Sequence, residues 1–137
     1  MSGSTQTRAG PEPASVSITV PSRVDAPASA RHALQALEGS VEHAVLARAR
    51  LVVTELVANS VKHANSGTIR VEVSVEEGVV RGEVADGGEH FEPPREGEPR
   101  RNVGWGLLLV RRMTDRWGIE PDTSTVWFEI DSGRRSA

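Results

Sequence analysis

The chain has 137 residues, 37% of them hydrophobic and 26% charged, with a formal net charge of −3, which suits one folded domain around one modest core. The negative balance removes the electrostatic case for nucleic-acid binding, which wants a basic face, and the lack of cysteine excludes disulfides and thiolate metal sites. No apolar run approaches the roughly 18 residues of a membrane span, and the opening MSGSTQTRAGPEP lacks the apolar core of a signal peptide, so the expected setting is the cytoplasm, with no membrane and no direct nucleic-acid partner.

Residues 1–14 are Ser, Thr, Gly and Pro with almost no apolar content and are expected to be a disordered tail, followed by a domain over 15–131 and a short tail over 132–137. From Ser15 to Val20, Val16, Ile18 and Val20 alternate onto one face and predict a strand. Asp25 is expected to cap a helix running to about Glu38, with Ala30, Ala33, Leu34 and Leu37 as its apolar members and Gly39 as its stop. A longer helix is predicted from about Val41 to Ala64. Leu46, Ala49, Val53, Leu56, Val57, Val61 and Ala64 share its broad apolar face, and Glu55, Asn59, Lys62 and His63 fall on the opposite side. Leu51 and Val52 lie on that polar side one turn earlier, so the stripe is expected to open into a covered space rather than bulk water.

Thr68 to Glu76 alternates strictly, Glu77-Gly78 reads as a turn, and Val79 to Asp86 is the return strand. A two-residue hairpin loop puts Val75 opposite Val80, Val71 opposite Val84, and Ile69 opposite Asp86. Asp86 then ends its strand on the core face, an odd place for a carboxylate without a partner. Residues 87–103 form a long polar loop rich in Gly and Pro, a length that usually carries function or motion. Leu107, Val110, Met113 or Thr114, and Trp117 recur at helical spacing, with Gly118 as the expected end. A last strand from Ser124 to Asp131 puts Ser124, Val126, Phe128 and Ile130 on one face. Trp127 then faces the open side of the sheet and suggests a contact surface, with a homodimer as one candidate. The order strand, helix, helix, two strands, loop, helix, strand predicts an α+β two-layer sandwich, with helices on one face of a mixed sheet.

Three short stretches stand out. Gly104-Trp105-Gly106 precedes a helix, where glycines permit close backbone approach and free N–H groups favour phosphate. Asp86-Gly87-Gly88 is a carboxylate at a strand end before a glycine turn. Glu55 and Asn59, at i and i+4, can hold a hydrated cation through oxygen, as Mg²⁺ accepts with one or two protein ligands. Each alone has an ordinary explanation: a flexible helix entry, a turn, a solvated helix face. His63 alone is most simply a surface histidine.

In order along the chain, however, "ELVANSVKHA", "VADGG" and "GWGLLLV" resemble the motifs of the GHKL ATPase superfamily, the histidine-kinase-like ATPase fold shared by gyrase, heat-shock chaperone ATPases, histidine kinases and mismatch-repair ATPases. The resemblance spans residues 15–131. Its small size, the short loop between the second and third motifs, and the ending "TVWFEI" are most similar to the anti-sigma-factor serine kinases of actinobacterial regulators. The resemblance implies that Asn59 ligates Mg²⁺ on the nucleotide phosphates and that Glu55 is the general base or orients the attacking group. It places Lys62 and His63 near the phosphate end and makes Asp86 the acceptor for the adenine amino group, with Gly88 keeping that wall open. It assigns Gly104, Gly106 and Leu107 to the phosphate-facing turn and Ser124 to the adenine end. Two positions depart from the pattern: His90 stands where a second glycine is usual after Asp86 and Gly88, and Thr123-Ser124 replaces a Gly-Thr pair.

The expected function is therefore an ATP·Mg²⁺-binding regulator, a serine/threonine kinase that phosphorylates a small antagonist protein and binds a sigma factor in the alternative state. The other reading is a non-catalytic module of the same fold, in which ATP or ADP gates a protein-binding surface.

Overall fold

Four runs of alternating β-branched residues and one short edge segment form a single five-stranded sheet, with the helices packed on the face that those residues share. A computed structural model describes residues 14–63, 67–86, 104–120 and 124–131, with backbone alone for His63 and residues 104–107. The strands are β1 (Ala14–Pro21), β2 (Thr68–Glu76), β3 (Val79–Asp86), β4 (Arg116–Glu120) and β5 (Thr125–Asp131). The helices are α1 (Ala26–Ala33), which tightens into a 3₁₀ turn over Leu34–Leu37, α2 (His43–His63) and α3 (Gly104–Met113). The sheet order is β1-β2-β3-β5-β4. All four pairings are antiparallel, so the sheet is antiparallel rather than mixed. No described helix is long and apolar enough to cross a membrane. The expected tails, the 87–103 loop with Gly88 and His90, and Ala64 and Thr123 lie outside the described residues, apart from Ala14, which opens β1.

The hairpin register is the one the alternation predicts: Val75 pairs with Val80, Val71 with Val84 and Ile69 with Asp86. Glu77 and Gly78 both take positive φ, 53° and 81°, the left-handed pair that lets a two-residue turn follow the twist of its strands. A slip by one residue would send every Val of β2 to the solvent face. The inner face carries Ile69, Val71, Val73 and Val75 from β2, Val80 and Val84 from β3, and Val126, Phe128 and Ile130 from β5, all buried. Burial of each such side chain contributes roughly 1.5–3 kcal/mol.

Asp25 occupies the N-cap of α1, but its carboxylate makes no capping hydrogen bond; its carbonyl accepts from Ser29 N–H. The helix start is set instead by a proline in the first turn, whose fixed φ suits that position. Along α2, Val45, Leu46, Ala49, Val52, Val53, Leu56 and Val57 are buried, and so is Asn59 at 8% exposure. This corrects the expected division of the helix. Val52 and Asn59 are seven residues apart, about two turns, and both belong to the buried side. Leu51 is the residue that faces water, at 42% exposure.

The second correction concerns Trp117 and Gly118, which the helical spacing assigned to α3. The helix stops at Met113. Thr114 turns both its N–H and its hydroxyl back onto the Val110 carbonyl, and Asp115 N–H then donates to the Glu129 carbonyl. This starts β4, whose Trp117 and Ile119 pack partly against the core. On the opposite face the Arg81 guanidinium lies 5.2 Å from the Trp127 ring centre. Gly118 lies against the same indole, where a Cβ would come within 2.7 Å of Nε1. Trp127 is therefore half-buried on the open face, covered by its neighbours. Beside it, Glu129 accepts from Arg116 Nε at 2.7 Å and from Arg81 Nη1 at 2.5 Å; the Arg116 hydrogen bond is the main reason its carboxyl sits below the usual range.

Gly82 faces the core in β3 opposite Phe128, and an added Cβ would lie 2.6 Å from Phe128 Cε2. The ring fills the space that a side chain on β3 would take. Gly82→Ala is expected to destabilise the fold by about 1–3 kcal/mol through overpacking, read as a lower urea midpoint. An unchanged midpoint would show that the ring moves freely.

Candidate functional site

The inner face of the sheet is apolar until its edge at the end of β3 and the start of β5, and there α2 brings polar groups over it. Leu56, Asn59 and Ser60 from α2, Val84 and Asp86 from β3, and Ser124 and Val126 at the entry to β5 line one cleft. Strand alternation places Asp86 there, two residues beyond Val84 on the same face. Helical spacing places Ser60 there, one turn after Leu56. The cleft is narrow, about 10 Å³, near the lower limit that accepts a single water.

Asn59 is buried, Ser124 is 6% exposed and Asp86 is half-buried. Asp86 N–H donates to the Ser124 carbonyl at 3.0 Å, so the two strand ends are tied by backbone at the point where their side chains reach the cleft. Ser124 holds a φ of 50°. This is the left-handed region, where a non-glycine residue costs roughly 1–2 kcal/mol and a β-branched residue is a marked outlier. The chain has serine rather than threonine at this position, and the serine keeps a hydroxyl on the cleft without a γ-methyl that this backbone disfavours.

Among the expected site residues, Asn59, Asp86 and Ser124 come together. Glu55 is half-buried one turn before Asn59 and Lys62 is exposed; neither lines the cleft. Gly104, Gly106 and Leu107 open α3 as expected, and His63 closes α2; their side-chain placement is outside the described residues, as is Gly88. Ser60 is the residue that the sequence reading missed. Its signal was present: Leu56 belongs to the apolar face, and a residue four positions later must share that face.

Among the described residues no group of three His, Asp or Glu side chains is placed to hold a metal. A hydrated cation at this cleft would meet only a few protein oxygens, from Asn59, Asp86 and the Ser60 and Ser124 hydroxyls, and would complete its shell with water and ligand oxygens. Mg²⁺ tolerates that donor set and a Ca²⁺ or Zn²⁺ structural site does not.

The model of the histidine kinase-like ATPase domain family matches residues 20–130. Among solved structures, the fold is similar to that in the crystal structure of the RsbU and RsbW domains of Rv1364c from Mycobacterium tuberculosis, with a TM-score of 0.63 and 21% identity. That likeness covers 85% of this chain and 31% of the larger one. No curated protein matches the chain.

The Ser124 backbone makes a direct test. Ser124→Gly is expected to stay within about 1 kcal/mol of the parent, because relief of the left-handed strain offsets the added freedom of the unfolded chain. Ser124→Thr is expected to lose about 1–2 kcal/mol. Thermal unfolding that ranks threonine above glycine would overturn the assignment.

Proposed function

The chain belongs to the histidine kinase-like ATPase domain family, and from that membership we propose that it is an ATP·Mg²⁺-binding regulatory protein that transfers the γ-phosphoryl group to a serine of a small antagonist protein, and that binds a sigma factor in the alternative state. The observation that carries the nucleotide part is the convergence of Asn59, Asp86 and Ser124 on one cleft between α2 and the sheet. The structural neighbour holds an RsbW domain together with an RsbU domain, which supports a role exercised on partner proteins.

In this reading Asp86 accepts a hydrogen bond from the adenine amino group, the Ser124 hydroxyl steadies the same end, and the Asn59 amide oxygen takes the cation. The cation, when bound, neutralises phosphate charge. The N-terminal N–H groups of α3 face the phosphates, with Lys62 adding positive charge and His63 a further polar group at that end. Glu55 takes the proton from the attacking serine hydroxyl as its oxygen bonds to the γ-phosphorus and ADP leaves. Phosphoryl transfer asks for this positioning and charge neutralisation more than for covalent chemistry.

A second reading is favoured by one observation: Glu55 and Lys62 do not line the cleft. On that reading the protein binds nucleotide only to change a protein-binding surface, and no group transfer occurs.

Incubation with γ-labelled ATP, Mg²⁺ and a co-encoded antagonist protein separates the two readings. Label on the antagonist's serine is expected, and binding without label selects the gated module. Glu55→Ala is expected to slow transfer by about 10²–10⁴ while nucleotide affinity, measured by calorimetry, stays near the parent's; parental transfer rates would remove Glu55 from the mechanism.

Asp86→Asn replaces an acceptor-only carboxylate with an amide that presents both a donor and an acceptor. It is expected to weaken ATP by roughly 1.5–3 kcal/mol and to narrow the preference over GTP. Unaltered ATP affinity would leave Asp86 as a strand-end residue.

A further inference from the structure

The C-terminal end of α3 is tied on two sides. Towards the sheet, Asp115 N–H donates to the Glu129 carbonyl, and Asp131 N–H donates to Asp115 Oδ2 at 2.7 Å. Towards α2, half-buried Arg48 donates from Nη1 to the Met113 carbonyl at 3.2 Å. A guanidinium here answers one of the carbonyls that a helix leaves unpaired at its end, and it complements the negative end of the dipole.

The position of Arg48 on α2 gives this contact a second consequence. Arg48 and Asn59 are 11 residues apart, about three turns, so they lie on nearly the same stripe of α2, separated by about 16 Å of rise. From Met113, α3 rises about 14 Å to Gly104. The two helices pack against each other, and the Arg48 bond joins them at one end of matching lengths. A tilt of about 4° around that bond shifts the far end of α3 by about 1 Å, and an error of that size at a reacting group can cost about a hundredfold.

We infer that Arg48 is a positioning residue for the phosphate end of the nucleotide: by holding Met113 it sets the distance between the α3 N-terminus and Asn59. This rests on the nucleotide reading above. Arg48 acts through α3 and touches neither the base nor the Asp86–Ser124 end, so its loss should distinguish ligands by their phosphates.

Titration of ATP, ADP and adenosine into the parent, Arg48→Ala and Arg48→Lys, with amide hydrogen exchange on each protein without nucleotide, tests this. Arg48→Ala is expected to weaken ATP and ADP about tenfold, the size of one lost hydrogen bond, and to leave adenosine unchanged. Exchange should quicken in the first turns of α3 while β2 and β3 keep the parent's protection. Arg48→Lys, which keeps the charge and loses the planar fork, should recover part of both effects. Equal losses for adenosine and ATP, or faster exchange throughout the chain, would reduce Arg48 to a general structural role and overturn the inference. A parent that binds none of the three ligands overturns the nucleotide reading itself. Exchange then still decides whether Arg48 holds α3, and unchanged α3 protection in Arg48→Ala would sink that part too.

Discussion

The seating of α2 on the inner face of the sheet is the constraint from which the rest follows. Its buried stripe runs from Val45 to Val57 through side chains 0–3% exposed, and the same helical period carries Asn59 onto the continuation of that stripe. A buried amide costs roughly 1–3 kcal/mol when it lacks a partner, and it has no place in a helix selected only for packing. The apolar residues before it hold the helix down firmly enough to keep the amide at the edge of the core. The helix that covers the inner face of the sheet thus delivers a buried polar side chain to the cleft.

The sheet makes the complementary contribution through a period of two. The left-handed pair Glu77 and Gly78 closes the β2–β3 hairpin without slack, and from Val80 inward each second residue of β3 faces α2. Gly82 is absent as a side chain because Phe128 from β5 lies over it. Val84 continues the apolar face and Asp86 ends it. β5 reaches the same edge from the other direction, where Ser124 turns through a left-handed backbone just before pairing begins. Core packing and site geometry are therefore one arrangement: a register slip that exposed the valines would also take Asp86 out of the cleft.

Long elements were legible in the sequence because their periods repeat enough times to exclude other readings. The hairpin register, the inner face of β5 and the extent of α2 all came from such runs, as did the core-facing sides of Asp86 and Ser124; that the two share one site came from the resemblance. Short elements were not. Val110, Thr114 and Trp117 fit a helical period over barely two turns, yet Trp117 lies in a five-residue edge strand. The deciding event is local: Thr114 spends both its donors on the Val110 carbonyl, and the next N–H finds Glu129. The side of Val52 on α2 was misread for a related reason. Leu51 and Val52 are adjacent, so a sequence window tolerates either on the buried side, and only the contact with the sheet selects Val52. That error concealed Asn59 and Ser60 as members of the inward face. The roles of Glu55 and Lys62 came from resemblance alone, and the cleft geometry does not reach them.

The two ends of the proposed nucleotide site differ in how they are held. Asp86 and Ser124 belong to neighbouring strands joined by a backbone hydrogen bond, so their separation cannot change without breaking the ladder. Among the described contacts, α3 is tied at its C-terminal end through Met113 and Asp115, the length of a ten-residue helix away from its N-terminus. On the nucleotide reading proposed above, the strand contacts lie where the base is common to all such ligands and α3 lies where their phosphates differ.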